Sequence, residues 1–108
     1  MKLIIENVEN ANSLEVIKNP KEEFIREELA SEDFDFAILE SSDELTFMQC
    51  RKIGETGKYL LEYRDGSEDR HYQTENPVSY SRAVSAFLWY LRGDESWRSE
   101  FVWERIEV

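Results

Sequence analysis

The chain has 108 residues, 41% of them apolar and 13% aromatic. This is enough for one packed core, argues against intrinsic disorder and leaves no length for a second domain, so residues 1–108 are expected to fold as a single unit. A net charge of −11 and an isoelectric point near 4.5 argue against binding to phosphate backbones or anionic membranes and favour a basic protein partner. The single cysteine, Cys50, excludes an intrachain disulfide and with it a secreted disulfide scaffold.

In chain order, Leu3-Ile4-Ile5 predicts a short first strand with Val8 as its last core contact. A polar loop over Glu9–Ser13 follows, and Leu14–Ile17 extends a strand or opens a helix. Asn19-Pro20-Lys21-Glu22 has the form of a helix start: Asn19 caps, Pro20 takes the first helical position and Glu22 reaches back. The helix runs to about Ala30, with Phe24, Ile25 and Leu29 towards the core and Glu23, Glu27 and Glu28 in water. Phe34–Leu39 alternates Phe34, Phe36 and Ile38 against Asp33, Asp35 and Ala37, a half-buried strand with the large residues inward. After the Ser41–Glu44 turn come a strand over Leu45–Ile53, a glycine-bearing connection and a strand over Lys58–Arg64 with Tyr59, Leu61 and Tyr63 on one face. Asp65-Gly66 is the strongest hairpin signal, and Arg70–Glu75 is the return strand of an antiparallel meander.

Asn76-Pro77 breaks the sheet, and Ser79 or Ser81 caps a second helix ending at Arg92. Val84, Phe87, Leu88 and Leu91 form its apolar stripe, with Ala83 beside them, and Gly93 is its left-handed cap. Phe101–Val108 is expected to close the sheet as a last strand. The fold class is therefore α+β, a mostly antiparallel sheet of about five or six strands with two helices packed on it.

The motifs of catalysis and cofactor binding are absent from the sequence. There is no CxxC, HxxxH or HExxH spacing for zinc, no glycine-rich phosphate loop and no GxSxG, so no catalytic, cofactor or metal residue is assigned. His71, the only histidine, is expected to be an exposed strand residue and Cys50 a small buried or half-buried one. In the aromatic tail, Phe101 and Trp103 are expected to pack the sheet against the second helix. Trp97, in the loop after Gly93, is a candidate exposed contact anchor, because Trp is enriched at binding hot spots. The charge is uneven: residues 1–50 hold 4 Lys or Arg against 13 Asp or Glu, residues 51–108 hold 9 against 11. The acid is densest from Glu22 to Glu44. Glu27, Glu28, Glu32, Asp33, Asp35, Asp43 and Glu44 are thus the candidate partner-binding residues, with Asp65, Glu68 and Asp69 of the hairpin turn and Trp97 as secondary candidates. Three apolar residues at the N-terminus are too few for a signal-peptide core, and no apolar run spans a bilayer, so the expected compartment is the cytoplasm.

Residues 57–106 resemble a known family. A strand ending Tyr63-Arg64-Asp65-Gly66, a serine-containing helix start, Ala83 through Leu91 leading into Gly93, and a late Val102-Trp103-Glu104 are similar to the Imm family of bacterial polymorphic-toxin systems, immunity proteins often encoded beside deaminase-type toxins. The resemblance implies an α+β inhibitor with no reaction of its own. Such a protein binds a cognate toxin domain, of deaminase or nuclease type, and blocks its active site or substrate channel; Trp103 and Glu104 then support the fold. The acidic composition agrees, since a toxin acting on nucleic acid is basic where its substrate docks. The alternative is a non-catalytic regulatory or adaptor domain of a cytoplasmic assembly, for which a homodimer is one arrangement.

Overall fold

The computed structural model describes residues 1–7, 13–31 and 34–107. Its strands are β1 (Lys2–Asn7), β2 (Ser13–Lys18), β3 (Phe36–Glu40), β4 (Thr46–Lys52), β5 (Lys58–Asp65), β6 (His71–Thr74), β7 (Val78–Ser79) and β8 (Trp103–Arg105). The helices are α1 (Glu22–Ala30), α2 (Tyr80–Arg92) and α3 (Ser96–Glu100), and a 3-10 turn spans Glu68–Arg70. The strands form one antiparallel sheet in the order β2-β1-β3-β4-β5-β6-β8, with β7 pairing the start of β5. The α+β class and the β4-β5-β6 meander are as the sequence implies. The strand count is higher because the segment left open between strand and helix forms the six-residue β2, and the two-residue β7 carries too little periodicity to be seen.

The helices lie on one face of the sheet. Leu3, Ile5, Ala37, Leu39, Met48, Cys50, Leu61 and Tyr63 point to that face and meet Ile25 and Leu29 of α1 and Ala83, Val84, Phe87 and Leu88 of α2. Burying such side chains is the main favourable term of folding, about 1.5–3 kcal/mol for each large aliphatic or phenylalanine. Tyr59 adds a directional contact: its hydroxyl donates to the Leu29 carbonyl at 2.9 Å, pinning the end of α1 to the sheet.

Four expectations are corrected. In β3 the inward residues are Ala37 and Leu39, because Ala37 pairs with Ile5 and Cys50 and Leu39 with Leu3 and Met48. Phe36 and Ile38 stand half-buried on the other face, and Phe34 reaches the core from outside the strand, 6.5 Å from the Tyr59 ring. Side-chain size misled, since the small Ala37 sits at the centre of the sheet's covered face. The α1 start is also different: Lys21 is the N-cap, without a side-chain bond. Asn19 instead adopts a left-handed φ of 50° and donates its amide to the Met1 carbonyl, so that it closes the β1–β2 ladder. The third correction is in the tail, where Ser96–Glu100 is helical and only Trp103–Arg105 is strand. His71 is the fourth, 4% exposed rather than on the surface. The expectations for Val8, Glu9–Asn12, Glu32, Asp33 and Val108 lie outside the described residues.

α2 follows the sequence reading. The Ser79 hydroxyl accepts the Arg82 amide at 3.3 Å, and Gly93 takes the left-handed cap with φ 74°. The two helices run antiparallel, and the Arg92 guanidinium at the end of α2 forks onto the Glu22 carboxylate at the start of α1, at 2.6 and 2.9 Å. Among the described residues no helix is long and apolar enough to cross a membrane.

Candidate functional site

Two turns meet at one end of the sheet. In the β3–β4 turn, Asp43 Oδ1 accepts the Leu45 amide at 2.7 Å, a carboxylate turn of the kind aspartate favours. Gly66, with φ 86°, starts the β5–β6 connection and donates its amide to the Leu45 carbonyl at 2.9 Å, so the turns are hydrogen-bonded to each other. This brings Asp43, Glu44, Asp65, Glu68 and Asp69 together. Asp65 pairs with Arg70 at 3.1 Å. Among the described residues no ion pair involves Glu44, Glu68 or Asp69, and all three are exposed.

Between these turns and the end of α2 is a cleft of about 200 Å³, lined among others by Ser41, Tyr63, Asp65, Tyr90, Trp97 and Arg98. Its aromatic residues interlock. The Tyr63 ring stands edge-on to Trp97 and to Trp103, each at 4.7 Å, and Tyr90 is 5.7 Å from Trp97. The Arg98 guanidinium lies 4.5 Å over the Trp97 ring. Asp94 Oδ1 accepts the amide and hydroxyl of Ser96 at 3.0 and 2.6 Å, which starts α3 and holds the Asp94 carboxyl below the usual range. Burial pushes the Tyr90 phenol up to about 12, against a hydrogen bond with Ser41; the Asp65 and Asp43 carboxylates add to the rise. The cleft is smaller than the roughly 300–1,000 Å³ of small-molecule pockets. Its walls are aromatic and its charged lining is mixed, Asp65 and Glu95 with Arg64 and Arg98.

Trp97 is not the exposed anchor the sequence suggests. It is 3% exposed, and its carbonyl accepts the Trp103 indole N–H at 3.2 Å. The helical turn of α3 rotates it inward, so Trp97 is a wall of the cleft, and Trp103 and Phe101 pack in the same aromatic group. Nor does the acidic stretch of the first half form one surface. Glu27, Glu28 and Asp35 lie at the end of the sheet where β3 begins and β4 stops, Asp43 and Glu44 at the opposite end. The five residues of β3 separate the two groups by about 14 Å at ~3.4 Å per residue. Glu32 and Asp33 lie outside the described residues.

The helix-free face carries a second polar arrangement, which the sequence reading missed. Gln49 Nε2 donates to Glu62 Oε2 at 2.8 Å, Glu62 Oε1 is 3.1 Å from His71 Nε2, and Arg64 Nε donates to His71 Nδ1 at 3.1 Å. Arg64 also lies over the Phe47 ring at 5.4 Å. Arginine can only donate, so Nδ1 is the acceptor and the imidazole is neutral, its proton on Nε2 directed at Glu62. Both ring nitrogens are engaged, and in this arrangement neither can take a proton from a substrate. The register shows what would have exposed the cluster: Gln49↔Glu62 and Arg64↔His71 are cross-strand neighbours.

Cys50 is fully buried between Ala37 and Leu61, and burial raises its thiol far above the ordinary value, which removes the thiolate a nucleophile needs. Among the described residues no three His, Cys, Asp or Glu side chains gather as a metal site. No family model, no curated protein and no solved structure matches the chain.

Proposed function

We propose that this protein is a stoichiometric binder of a basic protein, an immunity protein acting in the cytoplasm to neutralise a toxin domain of deaminase or nuclease type. The observation that carries the reading is that Asp43, Glu44, Asp65, Glu68 and Asp69 stand on two turns hydrogen-bonded to each other, with Asp65 lining the aromatic-walled cleft. The net charge of −11 would steer a basic surface into contact, which speeds encounter. Tight binding then needs a few desolvated anchors, and the aromatic walls of the cleft would seat one side chain of the partner. The family resemblance over residues 57–106 supports the immunity role and includes the β5–β6 turn.

The test is co-expression with a toxin domain encoded beside the gene, followed by co-purification and stopped-flow association. Glu44→Lys, Glu68→Lys and Asp69→Lys together remove no hydrogen bond to the turn backbone. They should slow association by about tenfold at low salt and flatten its salt dependence. The same number of reversals on the far end, at Glu27, Glu55 and Glu75, should leave the rate within about twofold, because steering depends on local field. Equal effects from the two sets would remove the docking end; failure of the wild-type chain to rescue cells would remove the immunity role.

A further inference from the structure

β2 is one edge of the sheet, and among the described residues no strand lies beyond it. The Asn19 amide donates to the Met1 carbonyl at 2.8 Å, in the same register as Leu3↔Ile17 and Ile5↔Glu15. Antiparallel ladders alternate, so residues 15 and 17 turn their backbone groups towards β1, while the N–H and C=O of Leu14, Val16 and Lys18 face outward. The side chains of these three residues share the helix-free face with Ile4 and Ile38, and Leu14 and Val16 are 59% and 48% exposed. Edge strands are ordinarily blunted by proline, bulges or charge. β2 has no proline, its pairing with β1 is regular throughout, and Lys18 is its only charged side chain on that face.

We propose that β2 pairs antiparallel with β2 of a second copy of this chain, about a two-fold axis at Val16, so that two sheets become one. The sequence of the strand selects this register. With Val16 opposite Val16 and Leu14 opposite Lys18, all three outward-facing residues form hydrogen-bonded pairs, about six backbone hydrogen bonds in a self-complementary contact. Sliding two residues one way sets Glu15 opposite Glu15, like charges face to face. Sliding two the other way sets Leu14 opposite Pro20, which has no N–H to give. In the symmetric register the Ile38-Ile4-Val16 row continues into its mate across the axis. Lys18, which sits beside Lys2 in its own sheet, crosses Leu14 of the other copy, whose next neighbour is Glu6. That places a carboxylate about 10 Å from the lysine backbone, within reach of the two side chains. The pairing is independent of whichever protein the acidic end binds.

Sedimentation or light scattering of the full chain from micromolar to near-millimolar concentration tests it. The wild type should approach twice its 12.9 kDa as concentration rises. Val16→Lys places two ammonium groups on the axis, and Val16→Pro removes an outward N–H that β1 does not use; each should halve the mass with unchanged circular dichroism. A cross-link decides the matter if either variant misfolds. Cα atoms of a hydrogen-bonded pair are about 5.5 Å apart, within disulfide range, so Val16→Cys should oxidise to a covalent dimer and Glu15→Cys should not. A wild type that stays monomeric across the range, a folded Val16→Lys that keeps the doubled mass, or equal cross-linking at positions 15 and 16 overturns the proposal.

Discussion

Replacing Trp97 by alanine separates a structural role from a contact role. The indole is 3% exposed, so nearly the whole side chain leaves water on folding, ~200 Å² or more, worth about 5 kcal/mol at ~25 cal/mol/Å² as an upper figure. Alanine keeps a fraction of that, and the Tyr63, Tyr90 and Trp103 rings lose an edge-to-face partner. Measured Trp→Ala losses in cores, about 3–5 kcal/mol, bracket the same value. We expect a loss of about 4 kcal/mol, a large part of the roughly 5–15 kcal/mol that holds a domain of this size together. The corresponding fall in melting temperature is about 15 °C or more. Urea unfolding followed by far-UV circular dichroism reads it, with the slope against denaturant checked for constancy. A loss below about 1 kcal/mol would mean that Trp97 is not packed as described; if toxin binding were lost at the same time, the exposed-anchor reading would be the right one.

The cap of α2 gives a smaller effect: Ser79→Ala removes the acceptor for the Arg82 amide and should cost about 1 kcal/mol in the same assay, while Ser79→Asp restores it. His71→Ala leaves Glu62 Oε1 without its donor while Gln49 still serves Oε2, and because Glu62 is buried it should cost about 2 kcal/mol; a change within experimental error would show that Glu62 is solvated. Burial raises Cys50, Tyr59 and Tyr63, and takes Tyr90 from 10.0 to about 12. A raised acid contributes stability that is whole below its unfolded value and falls as pH climbs towards the folded one. Alkaline unfolding should therefore set in above about pH 9–10 and steepen towards pH 12, with Tyr90→Phe blunting it; a flat stability profile over that range would contradict the burial of these groups. Native Cys50 should resist a thiol reagent at neutral pH and react only on unfolding, and rapid labelling of the folded chain would contradict its burial.

Much of this architecture was legible before any coordinates. Periodicity and punctuation located α2 and its two caps, β4, β5 and the inward face Tyr59-Leu61-Tyr63, because each signal is local: a helix stripe, a serine, a glycine, an alternation. What the chain alone could not decide was parity and partnership. Ala37 faces the core ahead of Phe36 because its cross-strand neighbours are Ile5 and Cys50. Asn19 closes a ladder rather than capping a helix because Met1 offers a carbonyl there, and neither fact is a property of the local sequence. The candidate site shows the same division. Composition established the charge, which depends only on counting residues. Which carboxylates stand together depends on a hydrogen bond between two turns about twenty residues apart, and whether Trp97 is wall or anchor on a short helix that rotates it under Tyr63. Long-range pairing makes these choices because burial and hydrogen bonding act between segments that the sequence keeps apart.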